Sequence, residues 1–356
     1  MTIKLDNTMN NSLRNSSIEI LRLILIFGII LMHCFGEYYS TCQGADLYFG
    51  ILINSVFNCG VSCFMLISGF YGLKFNLHKF IRIIFLVLFY SYIDFAIKII
   101  LSGKFSFASL LKTVFPLLTG KYWYITCYMI IYLLCDYIEL FIKNITLIRF
   151  KILLIVLILI YYLAPTFLYF QIMNDSGKGI VNMFIVYLTG RFLRQYLDIS
   201  KFKYSTLFIA FLLNLVFIFT ITLCACVILG GVGIRFPIMF RDNSIFIFVN
   251  SLIVFLLFIR GEFYSKIINT LSSCILGIYL LESTVRYIII TIPYDELITQ
   301  SFFGGAIIKT ITVSCIVFIS SLLIELLRKL CVHILNVDKI LDSGVNIIKK
   351  TVQNFL

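Results

Sequence analysis

Residues 14–36 read RNSSIEILRLILIFGIILMHCFG. From Ile18 to Gly36 the stretch is apolar apart from Glu19, Arg22 and His33. A helix needs about 20 mostly apolar residues to cross a hydrocarbon layer. A secretory signal also has an apolar run, but it closes on a small-residue cleavage site. No such site is present here, and Glu19 and Arg22 stand inside the run, so it reads as a retained membrane helix. Nine comparable runs follow, at roughly 50–70, 81–101, 122–141, 151–170, 180–197, 204–229, 243–260, 271–291 and 302–327. The expected fold is an all-α polytopic membrane bundle of about ten transmembrane helices.

Composition agrees. Of 356 residues, 61% are hydrophobic and 13% charged, about half the charged share of an ordinary soluble domain. A soluble globule, a disordered chain, a coiled coil and a nucleic-acid-binding protein are excluded. The net charge of +12 therefore reads as topology. Twenty of the 29 Lys and Arg fall on the N-terminal segment, the alternate loops in phase with it and the C-terminal tail. Cytoplasmic loops retain such residues, so both termini are expected in the cytoplasm, which requires an even number of spans. Most of the eleven cysteines lie in apolar runs and none forms a C-x-x-C pair, so neither a disulfide framework nor a metal site is expected.

Three regions follow: a polar segment 1–17, a transmembrane domain 18–327 and a tail 328–356. The tail spaces Val337, Ile340, Leu341, Val345 and Ile348 as one apolar face, which predicts an amphipathic helix on the inner leaflet. No internal repeat is apparent, which weighs against a transporter built from inverted halves.

Ionisable groups inside spans are costly and are the first candidates for function. Arg22 and His33 are eleven residues apart, so they share one helix face at a separation of about 16 Å. An Arg near one end suits phosphates, and a neutral imidazole deeper in suits proton transfer. The structural alternative is a snorkelling Arg and a His hydrogen-bonded between helices. Asp94 and Lys98, at i,i+4, read as an internal ion pair. Glu282 and Arg286 have the same spacing; Glu282 is expected either to orient His33, to bind a hydroxyl or to form only a local pair. Small residues around Asn58-Cys59-Gly60 and Ser68-Gly69-Phe70 predict close helix packing. Tyr122-Trp123-Tyr124 is accounted for by an interfacial aromatic belt.

Taken in order, these segments resemble the acyltransferase 3 family of membrane-bound acyltransferases, many of which O-acetylate bacterial surface glycans. The resemblance rests on Arg14-Asn15-Ser16-Ser17-Ile18-Glu19 through Arg22 to His33, Phe64 to Phe70 with its Ser68-Gly69-Phe70 ending, the basic turn Leu77-His78-Lys79-Phe80-Ile81-Arg82, Tyr122 to Tyr128, and Leu276-Gly277-Ile278-Tyr279-Leu280-Leu281-Glu282. Two positions depart from it. Glu282 stands where relatives often have His, and Asp136 where a Pro is common.

The resemblance implies acetyl-CoA, or another short acyl-CoA, as co-substrate and no bound cofactor. It implies that the donor docks on Arg22, Arg14, Lys79 and Arg82, and that His33 is the catalytic group, as base or acyl carrier, with Glu282 beside it. Glu19, Ser68, Trp123 and Tyr124 are expected to bind substrate or shape the site. The acceptor implied is a polysaccharide or lipid-linked sugar, and the location a bacterial plasma membrane. The alternative is a carrier or flippase for a lipid-linked glycan.

Overall fold

The structure is a computed structural model that describes residues 14–36, 44–168, 173–228, 240–291 and 305–355. The segment expected before Arg14 and the start of the tenth run, 302–304, lie outside these residues. The chain forms a helical bundle with no strand among the described residues.

Every predicted run contains helix among the described residues; 169–170 and 229, at the ends of the fifth and seventh runs, lie outside them. Its elements are α1 Ser16–Phe35, α2 Gly44–Phe57, α3 Gly60–Tyr71, α4 Leu77–Ser102, α5 Phe107–Val114, α6 Trp123–Asn144, α7 Leu147–Ile158, α8 Ala164–Phe167, α9 Ile180–Tyr196, α10 Tyr204–Ile228, α11 Ile245–Ile259, α12 Lys266–Ser272, α13 Ile275–Thr291, α14 Gly305–Ile334 and α15 Val337–Phe355. Among the described residues seven spans are long and apolar enough to cross a membrane, and α12 with α13 makes an eighth, bent by 49°. The two other runs are α9 and α11, of 17 and 15 residues. Both are largely buried within the bundle, so they shape the interior more than they face lipid.

Two helices are broken where the sequence places polar or small residues. α2 and α3 part at Asn58–Cys59, and α12 and α13 at Ser273–Cys274. The connection 102–121, between the third and fourth predicted runs, contains α5, an amphipathic helix whose Phe107 is exposed while Thr113 is buried.

Helix α1 is central. Its Ile18, Leu21 and Leu25 enter one core with α3, α6, α9 and α11, while Ile26, Ile30 and Cys34 enter a second core with α4, α6 and α13. Its N-terminus is fixed by the polar motif that precedes it. Asn15 caps the helix through Ser17 N, at 2.9 Å, and its amide donates to Gly261 O. Ser16 N–H donates to Phe263 O, and the Ser17 hydroxyl donates to Phe258 O. The start of α1 is thereby held against the α11–α12 connection.

The closest helix contact joins α3 to α9 through glycine. A Cβ on Gly69 would lie 2.3 Å from Tyr187 O, and one on Gly190 would lie 2.6 Å from Leu66 O. The small residues of the Ser68-Gly69-Phe70 segment therefore do serve backbone approach, as the sequence suggests.

The tail helix α15 is tied to the start of α4. Arg82 pairs with Asp342 at 2.7 Å and with Asp338 at 3.5 Å, and His78 contacts Asp342 at 2.9 Å. Hydrogen bonding to His78 and the Arg82 charge hold the Asp342 carboxyl below its ordinary range.

Candidate active site

The stripe on α1 opens into a cavity of about 460 Å³ that Arg22 and His33 both line. Its walls also come from Asn58 and Ser68 on the α2–α3 stretch, Lys79 on α4, Trp123, Tyr124 and Tyr128 on α6, and Tyr279 on α13. Arg22 and Lys79 mark one end. The turns before α9 and α11 contribute Lys178 and Asp242, and contacts tie them to the half of α1 that carries His33: Phe57 packs on Gly28, Asn58 donates to Phe240 O, and Asp242 N–H donates to Ser176 O. Two sites that are about 16 Å apart along one helix thus share a single space.

At the His33 end the imidazole meets Glu282. His33 Nδ1 is 3.2 Å from Glu282 Oε2, and Arg286 Nε donates to Glu282 Oε1 at 2.8 Å. The His33 side chain keeps 49% of its surface free, whereas Glu282 keeps 8%. Glu282 therefore makes both interactions that its sequence position allows: it faces His33 and it pairs locally with Arg286. A carboxylate accepting Nδ1–H leaves Nε2 as the nitrogen able to take a proton.

At the other end Glu19 organises the cations. It receives a two-pronged contact from Arg14, at 2.5 and 2.7 Å, a bond from Arg22 at 3.2 Å and the Ser272 hydroxyl at 2.6 Å. Arg14 does not line the cavity; its guanidinium is committed to Glu19. Lys79 lines the cavity beside Arg22 and rests over the Tyr132 ring. Arg82 lies in the wall of an adjoining cavity of about 390 Å³, which shares Lys79 and is also lined by Arg328, Lys329 and His333.

Other sequence candidates fall into place. Ser68, Trp123 and Tyr124 line the main cavity. Trp123 and Tyr124 are thus more than belt residues, since their rings form part of its wall. Asp94 is structural: Lys98 and Lys121 each approach it at 2.9 Å, and the Thr284 hydroxyl donates to it at 2.8 Å. Gly277, in the late motif, packs against Glu325, which is held by Arg328 and by the Tyr90 hydroxyl.

The family model for the acyltransferase domain matches residues 15–327. The chain belongs to the acyltransferase 3 family. No curated protein and no solved structure matches it. This acyltransferase is a multi-pass membrane protein, and the matched residues include every wall of the cavity.

Sequence reasoning missed Lys178 and Asp242. Both sit in short turns, far apart in the chain, and only the fold brings them to the end where His33 lies. The available signals were the polar runs Asn174-Asp175-Ser176-Gly177-Lys178 and Arg241-Asp242-Asn243-Ser244, each between apolar segments.

Proposed function

We propose that this acyltransferase moves an acetyl group from acetyl-CoA, supplied from the cytoplasm, to a hydroxyl of a cell-surface glycan or its lipid-linked precursor. The observation that carries the reading is the His33–Glu282–Arg286 chain facing a cavity whose far end is lined by two cations. The CoA phosphates dock at Arg22 and Lys79, and Lys329 and His333 in the adjoining cavity offer further phosphate contacts, Arg82 there being paired with Asp338 and Asp342. The acyl-bearing arm extends along the α1 stripe, which places the thioester carbonyl near His33.

Glu282 accepts a hydrogen bond from His33 Nδ1–H, so His33 acts through Nε2 as a general base. The acceptor hydroxyl gives its proton to Nε2 while its oxygen attacks the thioester carbonyl carbon. The C–S bond then breaks, the CoA sulfur leaves with the electron pair, and the imidazolium returns the proton to it. A base of this kind contributes about 10²–10⁴ to the rate. Arg286 holds the second Glu282 oxygen, which keeps the carboxylate aligned and ionised for the imidazolium that forms.

The test is release of free CoA from acetyl-CoA by the purified protein in liposomes, with glycan acceptors supplied. His33→Ala is expected to abolish acceptor-dependent release while insertion and folding persist. Equal turnover by the variant would remove His33 from the chemistry, and sugar translocation without CoA release would establish a carrier instead.

A further inference from the structure

At the end of the cavity where His33 lies, a second set of polar groups is built into place without using His33. The turn 175–178 and the turn 240–244 pack against each other. Asp242 N–H donates to Ser176 O at 3.0 Å, and Gly177 adopts φ +82°, with a would-be Cβ only 2.3 Å from Asn243 N. Only glycine fits both that backbone and that approach. Asn182, fully buried, donates to Gly177 O at 2.9 Å and accepts the Tyr162 hydroxyl. From the other side the Asn58 amide donates to Phe240 O. These bonds fix where Lys178 and Asp242 stand.

The second turn carries more buried polar atoms than its own bonding explains. Arg241 Nη1, Asn243 Oδ1 and Ser244 Oγ are buried without a hydrogen-bond partner among the described residues. Asp242 is 3% exposed and lines the cavity, yet its carboxylate has no hydrogen bond or ion pair among the described residues. Of this turn only Asp242 lines the cavity, and because buried polar groups are satisfied almost everywhere in folded proteins, a buried carboxylate that faces a cavity and has no partner among the described residues points to a ligand. Burial pushes the Asp242 carboxyl up to about 7, against the attraction of Lys178.

We propose that this turn pair is the acceptor subsite and that it takes a neutral carbohydrate. The Asp242 carboxylate and the Asn58 carbonyl oxygen receive hydrogen bonds from sugar hydroxyls, and Lys178 donates to a sugar oxygen. Of the charged groups on the two turns, Asp242 and Lys178 line the cavity; Asp242 is buried whereas Lys178 is exposed to solvent, so an anionic sugar meets the carboxylate unfavourably. Trp123 and Tyr124 add flat aromatic surface to the same cavity, suited to the C–H face of a pyranose. The assignment rests on the acyl-transfer reading for its meaning, because it places the attacking hydroxyl beside His33, but binding can be measured without transfer.

Trp123 is the single tryptophan, so its emission reports on the cavity. Detergent-solubilised full-length protein is titrated with neutral mono- and disaccharides, with glucuronate as the anionic control. A saturable change with a neutral sugar and none with glucuronate is expected. Asp242→Ala should weaken binding about tenfold or more, the factor that one lost hydrogen bond to a charged group gives. Asp242→Asn and Lys178→Gln should fall between. In the CoA-release assay the same variants should raise the KM for sugar while that for acetyl-CoA stays put. Silence of every neutral sugar, unchanged affinity in Asp242→Ala, or equal rises in both KM values would overturn the subsite. Sugar binding lost in Asp242→Ala but no acetyl-CoA turnover in any protein would keep the subsite and sink the transfer reading; turnover with an unmoved sugar KM would do the reverse.

Discussion

At the scale of single residues, the decisive contact is the one between His33 Nδ1 and Glu282. In the proposed mechanism Glu282 is an orienting carboxylate that selects the tautomer and stabilises the imidazolium. Glu282→Gln keeps an acceptor at that position but removes the charge. A fall in kcat on the order of 10- to 100-fold is expected, with the KM for acetyl-CoA unchanged, because the loss is confined to the base step. Steady-state CoA release measures this, and an unchanged kcat would leave Glu282 as a mere partner of Arg286. Asp242 gives a prediction of a different kind. An unfolded aspartate titrates near 3.8 and the buried one at about 7. Between these values the folded protein keeps a proton that the unfolded chain has lost, so Asp242 lowers stability progressively as pH rises through that window. Asp242→Asn should melt higher than wild type at about pH 8, and the gap should shrink toward about pH 5. A gap independent of pH would mean the carboxyl is partnered. The Arg22–His33 stripe was legible in the sequence because helical spacing alone puts the two on one face. The commitment of Arg14 to Glu19, and the arrival of Asp242 from a turn more than two hundred residues further on, were not, because no local pattern encodes them.

At the scale of elements, apolar runs located the helices well but said less about how each is used. α9 and α11 look like spans in sequence, yet the fold buries their faces around α3, and the price of that burial is close backbone contact. Gly69 and Gly190 mark the contact from the two sides. Either changed to Ala would drive a methyl group into a neighbouring backbone carbonyl, which no side-chain rotation relieves. A loss at the upper end of about 1–3 kcal/mol is expected for each. Thermal melts in detergent test this, with Gly344→Ala as the control: Gly344 has open space around it and lies in the helical tail. That substitution should be neutral or stabilising by about 0.5–1 kcal/mol. Equal behaviour of the three variants would show that α3 and α9 do not need the glycine contact. The break between α2 and α3 has a related logic, since it frees Asn58 to hold the turn before α11 and to face the cavity.

At the scale of the whole molecule, the cavity is useful for transfer only if its two ends meet different supplies. The Arg22–Lys79 end lies near the N-terminus of α1, and the end with His33 and Asp242 lies toward its C-terminus. The excess of Lys and Arg on the loops in phase with the N-terminus predicts that the first end faces the cytoplasm, and the proposed use of acyl-CoA requires it. The prediction is directional and can be read with cysteine labels. Ser200 is exposed after α9, at the Arg22 end, and Ser106 is exposed ahead of α5, at the opposite end. In intact cells a membrane-impermeant maleimide should label Ser106→Cys above the wild-type background and leave Ser200→Cys unlabelled until the membrane is opened. The reverse pattern would put Arg22 and Lys79 outside, out of reach of cytoplasmic acyl-CoA. The donor assignment would then fall even if His33 proved essential, because the cations would be placed to bind an external anion instead.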